Sequence, residues 1–355
     1  MDDGLKKRGH AGVLRQLRTL VLATVIAFTA IGAALASPLA IGRAAAAAPT
    51  WQVSTSYPAA SGANGIACPS ASTCYAIGSN SSGSEDILAT TNSGSTWSTQ
   101  TVPSGTGGLV DISCPSTTTC YAAGQDRIIT TTDSGSTWSA QTVPPGISVL
   151  SGIACPSTST CYAVGSNSSY YGEFLTTTDS GNTWTIQALP SGTYGDELHI
   201  ACPSTTTCYA AGQSTIIATT DSGSTWSTQT LLSSFLYGIA CPSTSTCYAV
   251  GYGIGSGSGI IATTDSGSTW GPETAPSGIG TLYGIACPST STCYAVGVSG
   301  IVATINSGGT WSNQTVPSGT GTLNGIACPS TSTCYAVGSG VILATTNGGT
   351  SWASQ

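Results

Sequence analysis

Beyond residue 51 the apolar positions fall in short runs, and none repeats at helical spacing. "LYGIACP" is apolar with small residues, and "TCYAVG" alternates Tyr and Val against Cys and Ala. "GIIATTD" is branched and aliphatic; "WSTQTVP" alternates and stops at a proline. Clusters of Ser, Thr, Gly and Pro separate these runs, so each reads as a short strand. The set recurs seven times, and successive copies of its cysteine pair are 39 to 47 residues apart. Four antiparallel strands per unit of about 40 residues is the arithmetic of a propeller blade. A parallel β-helix would need a shorter rung, and an open solenoid would need atypical terminal repeats.

The pattern at the two ends bears on how such a ring would join. "TSWASQ", at the end, stops short of a full fourth strand, whereas "TWQVSTSYP" near residue 51 resembles the fourth-strand run "TWSTQTVP". Residues 51–57 are therefore expected to complete the last blade. The expected fold is all-β: a seven-bladed β-propeller over residues 49–355, with four antiparallel strands per blade, closed by that N-terminal strand. Residues 1–48 differ in kind. A basic group (Lys6, Lys7, Arg8, Arg15, Arg18) precedes an apolar run and an Ala-rich tract, which reads as a signal peptide or an N-terminal membrane anchor.

A second signature keeps step with the first. "TTDSGSTW" and its variants end at Trp97, Trp138, Trp184, Trp226, Trp270, Trp311 and Trp352. The chain must turn tightly here. A side-chain acceptor can take backbone N–H groups, a glycine can adopt a backbone that Cβ would block, and the indole can cover the turn. The acceptor is Asp133, Asp179, Asp221 and Asp265 in four copies and Asn92, Asn306 and Asn347 in the other three. A catalytic carboxylate would not tolerate that exchange; a turn cap does. The motif S/T-x-D-x-G-x-T-W resembles the Asp-box, or BNR repeat, of sialidases, family 74 xyloglucanases, the sortilin luminal domain and the photosystem II assembly factor family. The resemblance implies a propeller. It does not carry over an activity: sialidases hold their substrate with three arginines, and this domain offers only Arg127. Assembly factors imply a basic patch for the partner, which is also missing.

The cysteines pair as Cys68/Cys74, Cys114/Cys120, Cys155/Cys161, Cys202/Cys208, Cys241/Cys247, Cys287/Cys293 and Cys328/Cys334. Zinc sites favour closer spacing joined by a second pair or by histidines, and a redox CxxC is absent. An exported chain with an even count favours seven local disulfides between the first and second strands of each blade. Cysteines facing each other on those strands would have Cα atoms about 5.5 Å apart. No metal or other cofactor is expected.

Composition narrows the partners. After residue 51 there is no lysine, one arginine and one histidine against twelve acidic side chains. No basic patch exists to release counterions from a polyanion, so nucleic acid is not expected. A ligand site should show where repeats break their own pattern. The departures gather in repeats two to four: Asp126 and Arg127; Tyr170, Tyr171 and Glu173; Tyr194, Asp196, Glu197 and His199. This sector is expected to hold any specific ligand. The leading reading is a non-enzymatic module, monomeric, secreted or on the extracellular face of the cell envelope, binding a protein or glycan there. Membrane contact would come only through an uncleaved N-terminal segment. The alternative is a glycoside hydrolase using two carboxylates of these loops.

Overall fold

Short connections and β-branched runs produce hairpins throughout. The computed structural model describes residues 60–80, 85–195, 197–254 and 259–355, all within the unit Trp51–Gln355. Asp196 and the segments expected to form a leader (1–48) and a closing strand (51–57) lie outside the described residues.

The fold is an all-β propeller, but the expected closed architecture does not stand. Among the described residues there are six sheets, not seven, and none closes on itself. Five have four antiparallel strands in chain order, and one has six. The six-stranded sheet merges repeats four and five. Its strand Ser227–Ala240 runs through what is elsewhere a connection between repeats. The reason is local: "QTLLSSFLYG" replaces "QTVPSGTGTL", so no Pro or Gly interrupts the strand.

The last sheet has its four strands without residues 51–57, which corrects the expected closure. That sheet takes its fourth strand from Ala353–Ser354, with Leu343 opposite Ser354 and Ala344 opposite Ala353. Gln355 N donates to Ile342 O at 2.8 Å, as Gln314 N does to Ile301 O. "WASQ" is thus the full counterpart of "WSTQ", since the fourth strands other than the fused Ser227–Ala240 are only two to four residues long.

The core is seven wedges rather than one. Each hydrophobic cluster combines two neighbouring repeats, and the seventh joins the last repeat to the first through Tyr335, Val337, Ile342, Ala63, Ile66 and Ala76. The repeated tyrosine of the second strand ties the wedges together. Tyr209 Oη donates to Thr244 O in the next repeat at 3.0 Å, and Tyr335 Oη to Ala71 O at 2.9 Å. Tyr162 makes the same bond to Thr205 O.

The seven expected bridges are all present: Cys68–Cys74, Cys114–Cys120, Cys155–Cys161, Cys202–Cys208, Cys241–Cys247, Cys287–Cys293 and Cys328–Cys334. Their placement corrects the expectation of cysteines facing each other on paired strands. The first cysteine of each pair lies one residue beyond its strand, as Cys68 does after Ala60–Ala67. The second opens the next strand and is completely buried: Cys74, Cys120, Cys161, Cys208, Cys247, Cys293 and Cys334. Each bridge therefore crosses the neck of the "PSTST" loop, and its Cα atoms are 4.1 Å apart rather than about 5.5 Å. The seven inner cysteines pack within the wedges and offer no thiol to a ligand.

The Trp-ended turn lies beside that loop. Asp133 Oδ1 accepts from Thr131 Oγ1 (2.8 Å) and Thr137 N (2.9 Å), while Oδ2 accepts from Thr137 Oγ1 (2.7 Å). Asn92 keeps the first two roles through Oδ1, and its Nδ2 donates to Thr96 Oγ1 at 2.8 Å instead. The hydroxyl simply reverses its bond, which is why Asp and Asn interchange. The Thr137 hydroxyl, then its backbone N–H, holds the Asp133 carboxyl below the usual carboxylate range; the same bonds from Thr225 bring Asp221 to about 2. Ser134 and Gly135 are both left-handed (φ 62° and 84°), a conformation that serine keeps only because the short loop and its bonds hold it there.

Register fixes two faces. Ile147 lies opposite Asn167 and Glu173 opposite Ala188, so repeat entries, second–third hairpins and fourth-strand ends share one face. Ala154 opposite Tyr162 and Cys161 opposite Thr177 put the disulfide loops and Trp-ended turns on the other.

Candidate functional site

The first strand of most repeats carries an irregularity at one place. Pairing slips between Ala63 and Gly65, Leu109 and Asp111, Leu150 and Gly152, Leu236 and Gly238, Leu282 and Gly284, and Leu323 and Gly325. The extra residue is Asn64, Val110, Ser151, Tyr237, Tyr283 or Asn324. Such bulges leave one residue unpaired and re-aim its side chain. Here they aim it inward. All seven first strands contribute to a central cavity of about 290 Å³, lined among others by Asn64, Asp111, Ser151, His199, Tyr237, Tyr283 and Asn324.

The position after the bulge is glycine in five repeats for a steric reason. A Cβ on Gly238 would lie 2.9 Å from Tyr283 O, and on Gly284 2.8 Å from Asn324 O. Adjacent first strands therefore approach too closely for a side chain. Two repeats break this rule, with Asp111 and His199. Asp111 uses its carboxylate as a clamp: Oδ1 accepts from Ile112 N at 2.8 Å, and Oδ2 from Ile153 N of the next repeat at 2.9 Å. Burial nevertheless outweighs both bonds and pushes its pKa up from 3.8 to about 6. Burial acts oppositely on His199, holding it at about 4 and hence neutral near pH 7. Tyr237 and Tyr283 sit with ring centroids 5.5 Å apart, tilted 46°. Burial first, then Glu197 and Tyr283, raises the Tyr237 pKa, so its hydroxyl stays protonated.

These opposed shifts yield a pH prediction. An acid with a raised folded pKa is stabilising in its protonated form, so the Asp111 contribution falls as pH rises from 3.8 to about 6. A base with a lowered folded pKa contributes fully above 6.5 and loses that contribution as pH falls towards about 4. The two largely cancel between these limits. Relative to the unsubstituted chain, His199→Gly should therefore gain stability on going from pH 6.5 to pH 4, by up to about 3 kcal/mol, and Asp111→Gly should show the reverse. Urea unfolding at both pH values measures this; parallel profiles for the two variants would contradict the assignment.

The sector expected from the sequence divides. Tyr170, Tyr171 and Tyr194 come together: Tyr171 bridges Tyr194, Gly195 N donates to Tyr170 O at 3.2 Å, and each ring is more than half exposed. The loop that follows runs into the cavity wall, where the buried Ser151 hydroxyl lies 3.0 Å from Gly195 O and 2.8 Å from Leu198 O. Glu197 takes a 3.4 Å bond from Gln213 Nε2, and His199 faces the cavity. Glu173 is held on the hairpin by Asn167 Nδ2 at 2.8 Å. Asp126 and Arg127 form an exposed pair (3.3 Å), with Arg127 Nη1 also on Gly105 O at 2.6 Å. They sit on the hairpin of repeat two, apart from the tyrosines.

Sequence reasoning missed the bulge residues. Their signal is visible in hindsight: the residue before "GIACP" varies where its neighbours do not, reading Asn, Ser, Tyr, Tyr and Asn in five copies. Repeats five and six, outside the expected sector, supply Tyr237 and Tyr283 to the cavity, and exposed Phe235 lies opposite exposed Tyr252 on the paired strands. Among the described residues no group of three or more His, Cys, Asp or Glu could hold a metal ion.

No protein family's sequence profile matches the chain, and no curated protein matches it. Solved structures do match in shape. "YCF48 bound to D1 peptide" is 16% identical, covers 82% of this chain and 95% of its own, and superposes with a TM-score of 0.64. An ancestral GH74 enzyme is 13% identical over 84% of this chain, with a TM-score of 0.63, and the match spans 46% of that enzyme. The structure of U3-55K is 11% identical over 80% of this chain and 90% of its own, with a TM-score of 0.62. At these identities the likeness is one of fold: the chain is a β-propeller, similar in shape to the YCF48, GH74 and WD40 propellers.

Proposed function

We propose that this chain is an exported, non-enzymatic binding module of the Asp-box type, and that it holds an extended peptide segment of a partner protein. The ligand lies on the hairpin face, across the tyrosines and the cavity behind them. The observation that carries this reading is the distribution of chemistry. The disulfide face repeats the same Ser, Thr and turn residues, whereas exposed Tyr170, Tyr171 and Tyr194 gather beside a cavity whose lining differs between repeats. Exposed aromatics give large contact area at low entropic cost, and discrimination needs groups that differ from their surroundings. A peptide is favoured over a glycan because a propeller of like fold is described as bound to a peptide. The described loop carboxylates are each engaged by a neighbouring side chain: Asp126 by Arg127, Glu173 by Asn167 and Glu197 by Gln213. No observation therefore favours the glycosidase.

Selection from a peptide display library, with a glycan array and polysaccharide digests in parallel, tests the proposal. A selected peptide should bind at least tenfold more weakly to the Tyr171→Ser/Tyr194→Ser variant. Ile305→Ser, which alters an exposed side chain at a Trp-ended turn on the opposite face, should leave binding unchanged. Polysaccharide turnover that is lost in Glu197→Gln would contradict the module and favour the enzyme.

A further inference from the structure

Resting on the reading of the chain as a peptide-binding module, we propose that the central cavity is a receptor for one cationic side chain, a lysine or arginine of the bound segment. The first argument is the inventory of the lining. Asn324 gives an amide N–H to Ala63 O at 3.0 Å, which leaves Oδ1 as its free acceptor. The Ser151 hydroxyl is directed to the Leu198 and Gly195 carbonyls. Asp111 accepts one backbone N–H on each oxygen and retains further lone pairs. Asp111 and the Asn324 Oδ1 thus offer acceptors that suit an ammonium or guanidinium group.

The second argument is charge. Asp111 on the wall and Glu197 close to Tyr237 are both acidic. Nothing nearby neutralises them. The domain after residue 51 has no lysine, and its single arginine is engaged by Asp126 and Gly105. Twelve acidic side chains against that one arginine give the whole domain a field that attracts a basic segment. The third argument is the aromatic pair. Tyr237 and Tyr283, with ring centroids 5.5 Å apart, both line the cavity, and a desolvated cation gains from the quadrupole of a nearby ring. The His199 imidazole, facing the same space, is neutral near pH 7, so it offers one acceptor nitrogen beside its N–H and no repulsive charge. A cavity of about 290 Å³ admits a long side chain but not a folded segment.

Binding should follow the ionisation of Asp111, because burial keeps His199 neutral and Tyr237 protonated across the same cavity between pH 5 and 7. With Asp111 titrating at about 6, a cation should bind roughly tenfold more weakly at pH 5 than at pH 7.

The probe is the pentapeptide acetyl-Gly-Gly-Lys-Gly-Gly-amide, with a Gln-centred pentapeptide as neutral control. In the full chain carrying His10→Gln, His199 gives the only imidazole NMR signal. The lysine peptide should shift that signal saturably, and the glutamine peptide should not. Asp111→Asn should weaken binding at least tenfold and abolish its pH dependence, while Asp126→Asn, which removes the same charge from a surface loop, should change it less than twofold. Should Asp111→Asn fail to fold, Tyr283→Ala provides a second variant with the same expected loss. The proposal is overturned if His199 does not respond to the lysine peptide, or if Asp111→Asn and Asp126→Asn weaken binding equally. If library peptides still bind the tyrosine face in that case, the module reading stands and only the cation receptor falls.

Discussion

Full reduction of the seven disulfides is expected to unfold the domain at room temperature without denaturant. Each bridge closes a loop of six residues' separation, for which chain entropy gives about 2 kcal/mol. Seven such contributions are comparable with the whole stability of an ordinary domain, about 5–15 kcal/mol. The fold has little else to substitute. Its core is divided into seven wedges, one ion pair is present among the described residues, and the seven inner cysteines are completely buried. Circular dichroism with increasing dithiothreitol, under conditions that reach the buried sulfurs, should show loss of the β signal together with thiol release. A single pair, such as Cys241→Ser with Cys247→Ser, should cost only about 2 kcal/mol and leave the fold intact. A fully reduced domain with unchanged melting would show that packing alone holds the blades.

Removal of Trp352–Gln355 should be the most damaging change at the chain's end. Trp352 is buried between the last two repeats, with its ring 6.1 Å from Tyr294 and nearly perpendicular to it. Deleting a buried aromatic costs about 3–5 kcal/mol on its own. The truncation also removes the fourth strand of the last sheet and the Gln355 side chain, which packs against Gly94 of the first repeat. An unpaired edge follows, in a domain with no lysine to guard it. Size-exclusion chromatography should find aggregates, and thermal unfolding should shift downwards by several degrees at least. A monodisperse truncation with unaltered melting would contradict the observed strand assignment.

The repeat made much of this fold legible in advance. Strand pattern, cysteine pairing and the capping role of Asp133 and its Asn counterparts follow from local chemistry that one copy states and six repeat. The position of the bridges was less legible. Spacing alone does not show that Cys68 has already left its strand while Cys74 opens the next. The fourth strand was misjudged because it is short: "WASQ" looks truncated only against the longer run "WSTQTVP", whose last residues do not pair. The fusion of repeats four and five depends on the missing Pro and Gly in "QTLLSSFLYG", a departure that pattern matching passes over. Of the residues of the proposed site, Tyr170, Tyr171, Tyr194 and His199 stand out in the sequence because they break the repeat. Asn64, Ser151, Tyr237, Tyr283 and Asn324 were missed because a bulge turns them inward, and strand alternation alone cannot show a bulge.

Hydrogen–deuterium exchange of the full chain, with and without a peptide selected from the display library, tests the binding account most directly. The account predicts protection on the first strands that line the cavity, above all Ile147–Ala154, His199–Ala201 and Ser227–Ala240, and on the loop carrying Tyr194. The disulfide loops, such as residues 156–160, should exchange as in the free chain. Protection confined to those loops and the Trp-ended turns, with the cavity strands unchanged, would contradict it.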